Sequence, residues 1–394
     1  MHAEATRDLK FITATVQNAM HPFPMLALIL TGSVARGEGA LIADPAKGSR
    51  WLSDLEFQVL IPDGRSVPER AIEDALHDTQ QAINSTPTNQ ERGLRVGFSA
   101  LRVSQLRRLR PAIFSREMLE HGKLVLGDAT VLSAPPWWRE GRIDIPCLDA
   151  FRLLNNRIVQ KLDARLRYEA GGDGDLLPAY TLQKFWIEMA TSLSVFLDCY
   201  RTSYRERRTA LSDCLASQPE LFGELGRLIV TRLSTSIDVK LGRCAPPRCS
   251  DEQFDEAAYA AASVWNWEAS RLLGCPPDGN WRSIPKRFRR AQPYTQSLRD
   301  WARLLIRGMS DDEFTRNVKA AIRAGSLANA IYQAACLLDF YWREVGTGSG
   351  QGPMILATAS KLFGLDPPRA SDGRRLVAKA VIARWDSHLR FAPR

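Results

Sequence analysis

The chain has 394 residues, of which 45% are hydrophobic and 25% charged, with a formal net charge of +9. That length exceeds the size at which one core stops growing, so two domains are expected, and the apolar fraction is enough for a large core. The absence of any run of about 18 apolar residues argues against a membrane span, and no signal-peptide core precedes the first helical pattern, so a cytoplasmic protein with no membrane partner is expected.

The seven cysteines, Cys147, Cys199, Cys214, Cys244, Cys249, Cys275 and Cys336, are scattered and odd in number, which suits reduced thiols better than a disulfide framework. Cys244 and Cys249 are the closest pair, yet neither a second pair nor a nearby histidine completes a zinc spacing.

In chain order, residues 4–20 have helical periodicity, with Leu9, Ile12, Val16 and Met20 on one side. The apolar run from Met25 to Leu30 predicts a buried strand. Gly32-Ser33 ends it where the backbone N–H groups of a following helix can hold a phosphate. Ala43 to Ser49 reads as a surface loop.

A second strand follows in Ser53-Asp54-Leu55-Glu56-Phe57-Gln58-Val59-Leu60-Ile61. Residues two apart on a strand share a face, so Asp54 and Glu56 stand side by side while Leu55, Phe57, Val59 and Ile61 turn inward. Paired carboxylates at a strand's N-terminal end suit a divalent cation, with Mg²⁺ the natural choice because it takes one or two carboxylates plus substrate phosphates.

A helix near 67–84 begins at Pro68. Residues 94–103 then alternate Leu94, Val96, Phe98 and Ala100 with Arg95, Gly97, Ser99 and Leu101, which predicts a third strand. A helix near 115–121 closes the unit, and Pro135-Pro136-Trp137-Trp138 reads as a linker. From about residue 147 the texture is helical throughout, with segments near 148–168, 179–201, 205–216, 219–239, 253–273, 296–307, 311–323, 326–345, 353–364 and 371–388. The expected architecture is an α+β head over 1–134 followed by an all-α helical bundle over 135–394.

The positive charge suits a polyanionic partner, either a nucleoside triphosphate or nucleic acid. Two arginine-rich stretches contribute, one with Arg102, Arg107, Arg108, Arg110 and Arg116, the other with Arg282, Lys286, Arg287, Arg289 and Arg290 near Phe288 and Tyr294. A solvated basic face is the favoured reading of each, because neither shows the regular aromatic interleaving of a stacking surface, although Phe288 and Tyr294 keep a nucleic-acid reading open.

The order of Thr31-Gly32-Ser33-Val34-Ala35-Arg36-Gly37-Glu38 and then Asp54-Leu55-Glu56 resembles the DNA polymerase β-like nucleotidyltransferase superfamily, in the version found in small bacterial and aminoglycoside nucleotidyltransferases with a helical C-terminal domain. The resemblance covers roughly the first third of the chain. It implies a small mixed sheet with helices, Mg²⁺ or Mn²⁺ held by Asp54 and Glu56, and a nucleoside triphosphate held at Gly32 and Ser33, with Arg36 adding charge or fixing the loop. It also implies that Lys184, with Arg157 second, reaches the triphosphate from the helical domain. The implied reaction moves a nucleoside monophosphate to an acceptor hydroxyl of a small molecule, a protein or an RNA end, releasing pyrophosphate.

Two departures stand out. The interval from Ser33 to Asp54 is about twice the family's usual spacer. The family's third carboxylate, expected on the third strand, is replaced by Gly97 and Ser99. Either Glu38 or Glu117 substitutes for it, or the chain is a nucleotide-binding or regulatory protein with weak or no transfer.

Overall fold

The computed structural model describes residues 3–44, 48–64, 68–132, 135–140, 144–171, 176–291, 294–306, 311–348, 350–365 and 373–390. The chain divides into two compact units. The first comprises Met1–Pro146 together with Tyr200–Ala210 and Ser234–Ala245; the second comprises Cys147–Cys199, Leu211–Leu233 and Pro246–Arg394. The division differs from the expected 1–134 and 135–394, because the segment from Pro135 to Pro146 stays with the head and two later segments return to it. Within that segment the Trp137 indole N–H donates to the carbonyl of Leu109 at 2.6 Å, so the double tryptophan is docked rather than a free linker.

The first unit is α+β. Its mixed sheet has four strands in the order β5-β4-β1-β6: β1 Ala27–Thr31, β4 Leu55–Ile61, β5 Val96–Arg102 and β6 Lys123–Gly127. β1 runs antiparallel to β4 and β6, whereas β4 and β5 are parallel. One sheet face carries Leu28, Leu30, Leu55, Phe57, Val59 and Ile61, which join Ile12 and Val16 of the helix Ala3–Ala19, Met20 just after it, and Ile72, Leu76 and Ile83 of the helix Glu69–Ser85 in a single core. The helical and strand periodicities of these segments therefore converge on one apolar layer. The opposite face is closed by a smaller cluster of Ala27, Leu60, Val103, Leu106 and Met118.

The expected loop at Ala43–Ser49 is instead part of a hairpin. β2 (Leu41–Asp44) pairs antiparallel with β3 (Gly48–Trp51), while residues 45–47 lie outside the described residues. The hairpin returns to the core at Trp51, whose indole N–H donates to Asp8 at 2.8 Å; Asp8 also takes a bidentate pair from Arg92 at 2.8 and 2.9 Å. A buried two-ended anchor of this kind explains why the insertion orders as strands.

The second unit is helical. The helices Cys147–Glu169 and Leu176–Phe196 lie along one another, and Leu327–Phe340 packs against Cys147–Glu169, Gly352–Leu362 and Gly373–Trp385. Asn155 and Asn156 are cross-links here. Asn155 accepts from the Trp265 indole at 3.1 Å, and Asn156 accepts from the Tyr332 hydroxyl at 2.8 Å and the Trp385 indole at 2.9 Å. Lys161 and Asp339 form a fully buried ion pair at 2.8 Å, with the ammonium over the Phe185 ring. The helix Ile284–Ala291 had no counterpart in the sequence pattern, being short and mostly basic.

Glu268 is buried beside Ser192, whose hydroxyl donates to it at 2.9 Å. Burial pushes its carboxyl well above the ordinary range, and the Ser192 hydrogen bond only partly offsets that. The folded group therefore binds its proton more tightly than the unfolded chain does. Its contribution to stability is full below the ordinary glutamate range and is lost as pH rises towards the raised value. Glu268→Gln is expected to match the wild type in melting temperature near about pH 4 and to exceed it increasingly towards about pH 8. A constant difference across that range in a pH series of melting curves would remove this account.

Candidate functional site

β1 ends at Thr31 opposite Glu56 in the β1/β4 register, and the Thr31 hydroxyl donates to the Glu56 carbonyl at 3.1 Å. The chain then turns through Gly32 with φ +69° into a single helical turn, Gly32–Ala35. A Cβ built on Gly32 would lie 2.8 Å from Oε2 of Glu56. The left-handed backbone calls for glycine, and a side chain there would also displace the Glu56 carboxylate. The structure thus brings the Gly32-Ser33 turn and the Glu56 carboxylate together, and Glu56 is exposed while Leu55 and Phe57 on either side are buried. The helical turn is too short for much of a macrodipole, so its useful property is that first-turn amides have no intrahelical acceptor.

Asp54 precedes β4 and shares the face of Glu56. Its Oδ1 is met by Nε of Arg95 at 3.2 Å, both side chains being about half exposed. Arg95 stands next to the residue that opens β5, and the parallel register sets Gly97 beside Glu56 and Ser99 beside Gln58. The polar face of β5 thus adjoins Glu56 through Gly97 and Asp54 through Arg95. Where a third acid is expected, an arginine, a glycine and a serine stand.

Neither substitute acid is free for that role. Glu38 is buried and accepts from Arg36 Nε at 3.2 Å, the Ser203 hydroxyl at 2.9 Å and the Tyr204 amide at 2.9 and 3.1 Å. Glu117 accepts from Arg36, from the Tyr200 hydroxyl at 2.7 Å and from Arg207 Nη2 at 3.0 Å. Arg36 and Arg207 balance the two carboxylates, and their guanidinium groups lie over the rings of Tyr204 and Tyr200 at 4.7 Å. Burial opposes the charge of both arginines, yet both are held more firmly protonated than usual, Arg36 by Tyr204, Glu117, Glu38 and Tyr200, and Arg207 by Tyr200, Glu117 and Tyr204 against the charge of Arg36. Burial, reinforced by Glu117, likewise raises Tyr200 well above its ordinary value.

This network corrects the reading of Arg36 as a nucleotide ligand. Its side chain is 3% exposed, with Nε on Glu38 and Nη1 on Glu117, so its contacts support the loop-fixing part of the expectation. The turn is closed by the Glu38 amide donating to the Ser33 carbonyl at 2.8 Å, and the network clamps Glu38 from the other side. The segment Tyr200–Ala210 therefore serves as the brace of the Gly32-Ser33 turn. Arg207→Met is expected to destabilise the chain by about 3 kcal/mol, because it leaves part of a buried carboxylate uncompensated while Arg36 still pairs with Glu117. A chemical denaturation midpoint unchanged from wild type would contradict that.

Lys240 is a further residue that no local pattern marks. It is buried, and its ammonium donates to the Ser53 hydroxyl at 2.9 Å, which also accepts from the Ala40 amide at 2.8 Å. It fixes the residue directly before Asp54 from a helix some hundred and eighty positions later. Lys184 and Arg157 belong to the second unit. There Arg157 lies 3.5 Å from Glu188 and also donates to Gln160, so part of its charge is already matched. Lys184 lies half-buried on the helix Leu176–Phe196.

Among the described residues no group of three or more His, Cys, Asp or Glu side chains converges as a metal cage. A donor set of two carboxylates is nevertheless sufficient for Mg²⁺, which keeps several waters and takes phosphate oxygens for the remainder of its shell. Glu56 presents an exposed carboxylate beside the turn, and Asp54 pairs with Arg95. Among the described residues no helix is long and apolar enough to cross a membrane. No family model, curated protein or solved structure matches this chain.

Proposed function

We propose that the first unit is a metal-dependent nucleotidyltransferase, taking a nucleoside monophosphate from a triphosphate and placing it on an acceptor hydroxyl. The observation that carries this reading is the left-handed Gly32 closing β1 against the carboxylate of Glu56. A turn whose first amides stand beside an acid supports this reading, because amides suit a phosphate and the acid suits the cation that accompanies it.

In this reading Asp54 and Glu56 hold Mg²⁺ or Mn²⁺, which when bound supplies charge neutralisation for the phosphates and the departing pyrophosphate. The amides of the Gly32–Ala35 turn and the Ser33 hydroxyl orient the terminal phosphates. Arg95 pairs with Asp54 and adds positive charge beside the phosphates. Ser53 and Lys240 keep the N-terminal end of β4 in place.

A second reading is favoured by Gly97: with no acid beside Glu56, the acceptor hydroxyl lacks a base, and the unit binds nucleotide with slow transfer or none. Both readings are tested by incubating the chain with each of the four ribonucleoside triphosphates and Mg²⁺ or Mn²⁺, following bound nucleotide, pyrophosphate and self-labelling. Metal-dependent binding that Gly32→Val abolishes and Ser33→Ala only weakens is expected. Binding indifferent to Gly32→Val would make the turn merely structural.

A further inference from the structure

The second arginine-rich stretch is sorted by the fold into two faces. Arg287 and Phe288 turn inward: the guanidinium donates to the carbonyls of Asn266 at 3.2 Å and Pro276 at 2.7 Å, and the ring packs on Trp265 at 5.2 Å. Lys286, Arg289 and Arg290 remain exposed on the helix Ile284–Ala291. Beside them a cleft of about 390 Å³ opens against the helix Tyr294–Ile306, lined by Arg289, Tyr294, Trp301 and Asn329 among others.

Among the described residues the lining holds cationic, aromatic and amide groups beside Leu298, Ser297 and Gly325, and no carboxylate. The Trp301 indole N–H donates to the Gly325 carbonyl at 3.2 Å, which sets the plane of the ring at the wall. Asn329 is held by its own amide nitrogen on Ser326 and its side-chain nitrogen on Ala324, each at 3.2 Å. Tyr294 is 76% exposed, although a large aromatic side chain in a stable core-forming segment would ordinarily be covered. In the first arginine-rich stretch Arg102 is taken by Glu69 at 2.8 Å and Arg116 lies over Tyr200, while Arg107, Arg108 and Arg110 are exposed.

We propose that this cleft of the second unit binds single-stranded nucleic acid, with Tyr294 and Trp301 as stacking surfaces for successive bases and Lys286, Arg289 and Arg290 tracking the phosphates. Base stacking on aromatics combined with a cationic groove is the means by which proteins hold single strands without reading sequence, and the cleft has the size of a small-ligand site. The inference stands on the second unit alone and holds whether or not the first unit transfers nucleotides.

The test uses the full chain and fluorescently labelled oligo(U), oligo(dT) and a duplex, each of about twelve nucleotides, the range that one such site covers. Anisotropy titrations at low and moderate salt are expected to show single strands bound with a clear salt dependence and the duplex bound more weakly. The tighter of oligo(U) and oligo(dT) identifies RNA or DNA as the source. Tyr294→Ala is expected to weaken binding by about 5-fold or more, and Arg289→Glu to weaken it and flatten the salt slope. Both side chains are exposed, so both variants should retain the wild-type melting curve. Ultraviolet crosslinking should place oligo(U) on a peptide within 294–306. The proposal fails if no single strand binds at low salt, if the duplex binds as tightly, if neither substitution changes affinity, or if the crosslink lies elsewhere. An outcome in which the cationic face is only solvated surface is the first of these.

Discussion

Glu56→Ala is expected to lower the affinity for Mg²⁺ with a nucleoside triphosphate by at least about 100-fold, because an ionised ligand to a bound cation supplies several kcal/mol that no neighbour replaces. The nearest groups to Glu56 are the Gly32 turn and Gly97, neither of which offers a carboxylate. The fold should be untouched, since the Glu56 side chain is exposed and the inward row of Leu55, Phe57, Val59 and Ile61 remains. Asp54→Ala should act in the same direction, and it also releases Arg95 from its ion pair. Calorimetry with Mg²⁺ and triphosphate, alongside a melting curve, separates loss of the site from loss of the fold. Unchanged affinity in both variants would eliminate the two-carboxylate site.

Gly97→Asp is expected to act in the opposite direction and to raise turnover by about 10²-fold or more, the contribution a positioned base typically makes. The site can accept it. A Cβ on Gly97 meets nothing within 4 Å, and the backbone there lies outside the left-handed region. Parallel pairing with Glu56 puts the new side chain on the same face, because Phe98 on the next position packs inward against Phe57 at 5.5 Å. A third acid close to two others repels them in the absence of metal, so the gain in affinity should be largest with Mg²⁺ or Mn²⁺ present. A wild type that turns over quickly, with no gain in the aspartate variant, would show that the acceptor is deprotonated by another group.

Much of the head was legible because its signals are local. The alternation of Leu55, Phe57, Val59 and Ile61 with Asp54, Glu56 and Gln58 is a property of one extended segment, and it alone specifies which side chains face the core. The same holds for Leu9, Ile12, Val16 and Met20 on the first helix and for the helical patterns of the second unit, whose long amphipathic repeats carry their own boundaries in Gly and Pro. The missing acid on 94–103 was equally readable, since it needed only the alternation and the residue types.

Other features have no local trace. β6 is a short edge strand, Lys123–Gly127, whose apolar run is too brief to separate from a helix end, and only pairing with β1 makes it a strand. The hairpin β2/β3 likewise depends on Asp8 and Arg92 holding Trp51.

The sequence by itself determined the candidate ligands, Gly32, Ser33, Asp54 and Glu56, because periodicity along a strand and the special backbone of glycine act within a few residues. Tertiary structure alone decided what surrounds them: that Arg36 is a buried brace, that Glu38 and Glu117 are consumed by Tyr200, Tyr204 and Arg207, and that Lys240 steadies Ser53. Those assignments follow from which distant segments meet, and burial then forces each charge to find a partner, since an unpaired ion in the interior costs more than any local preference can offset.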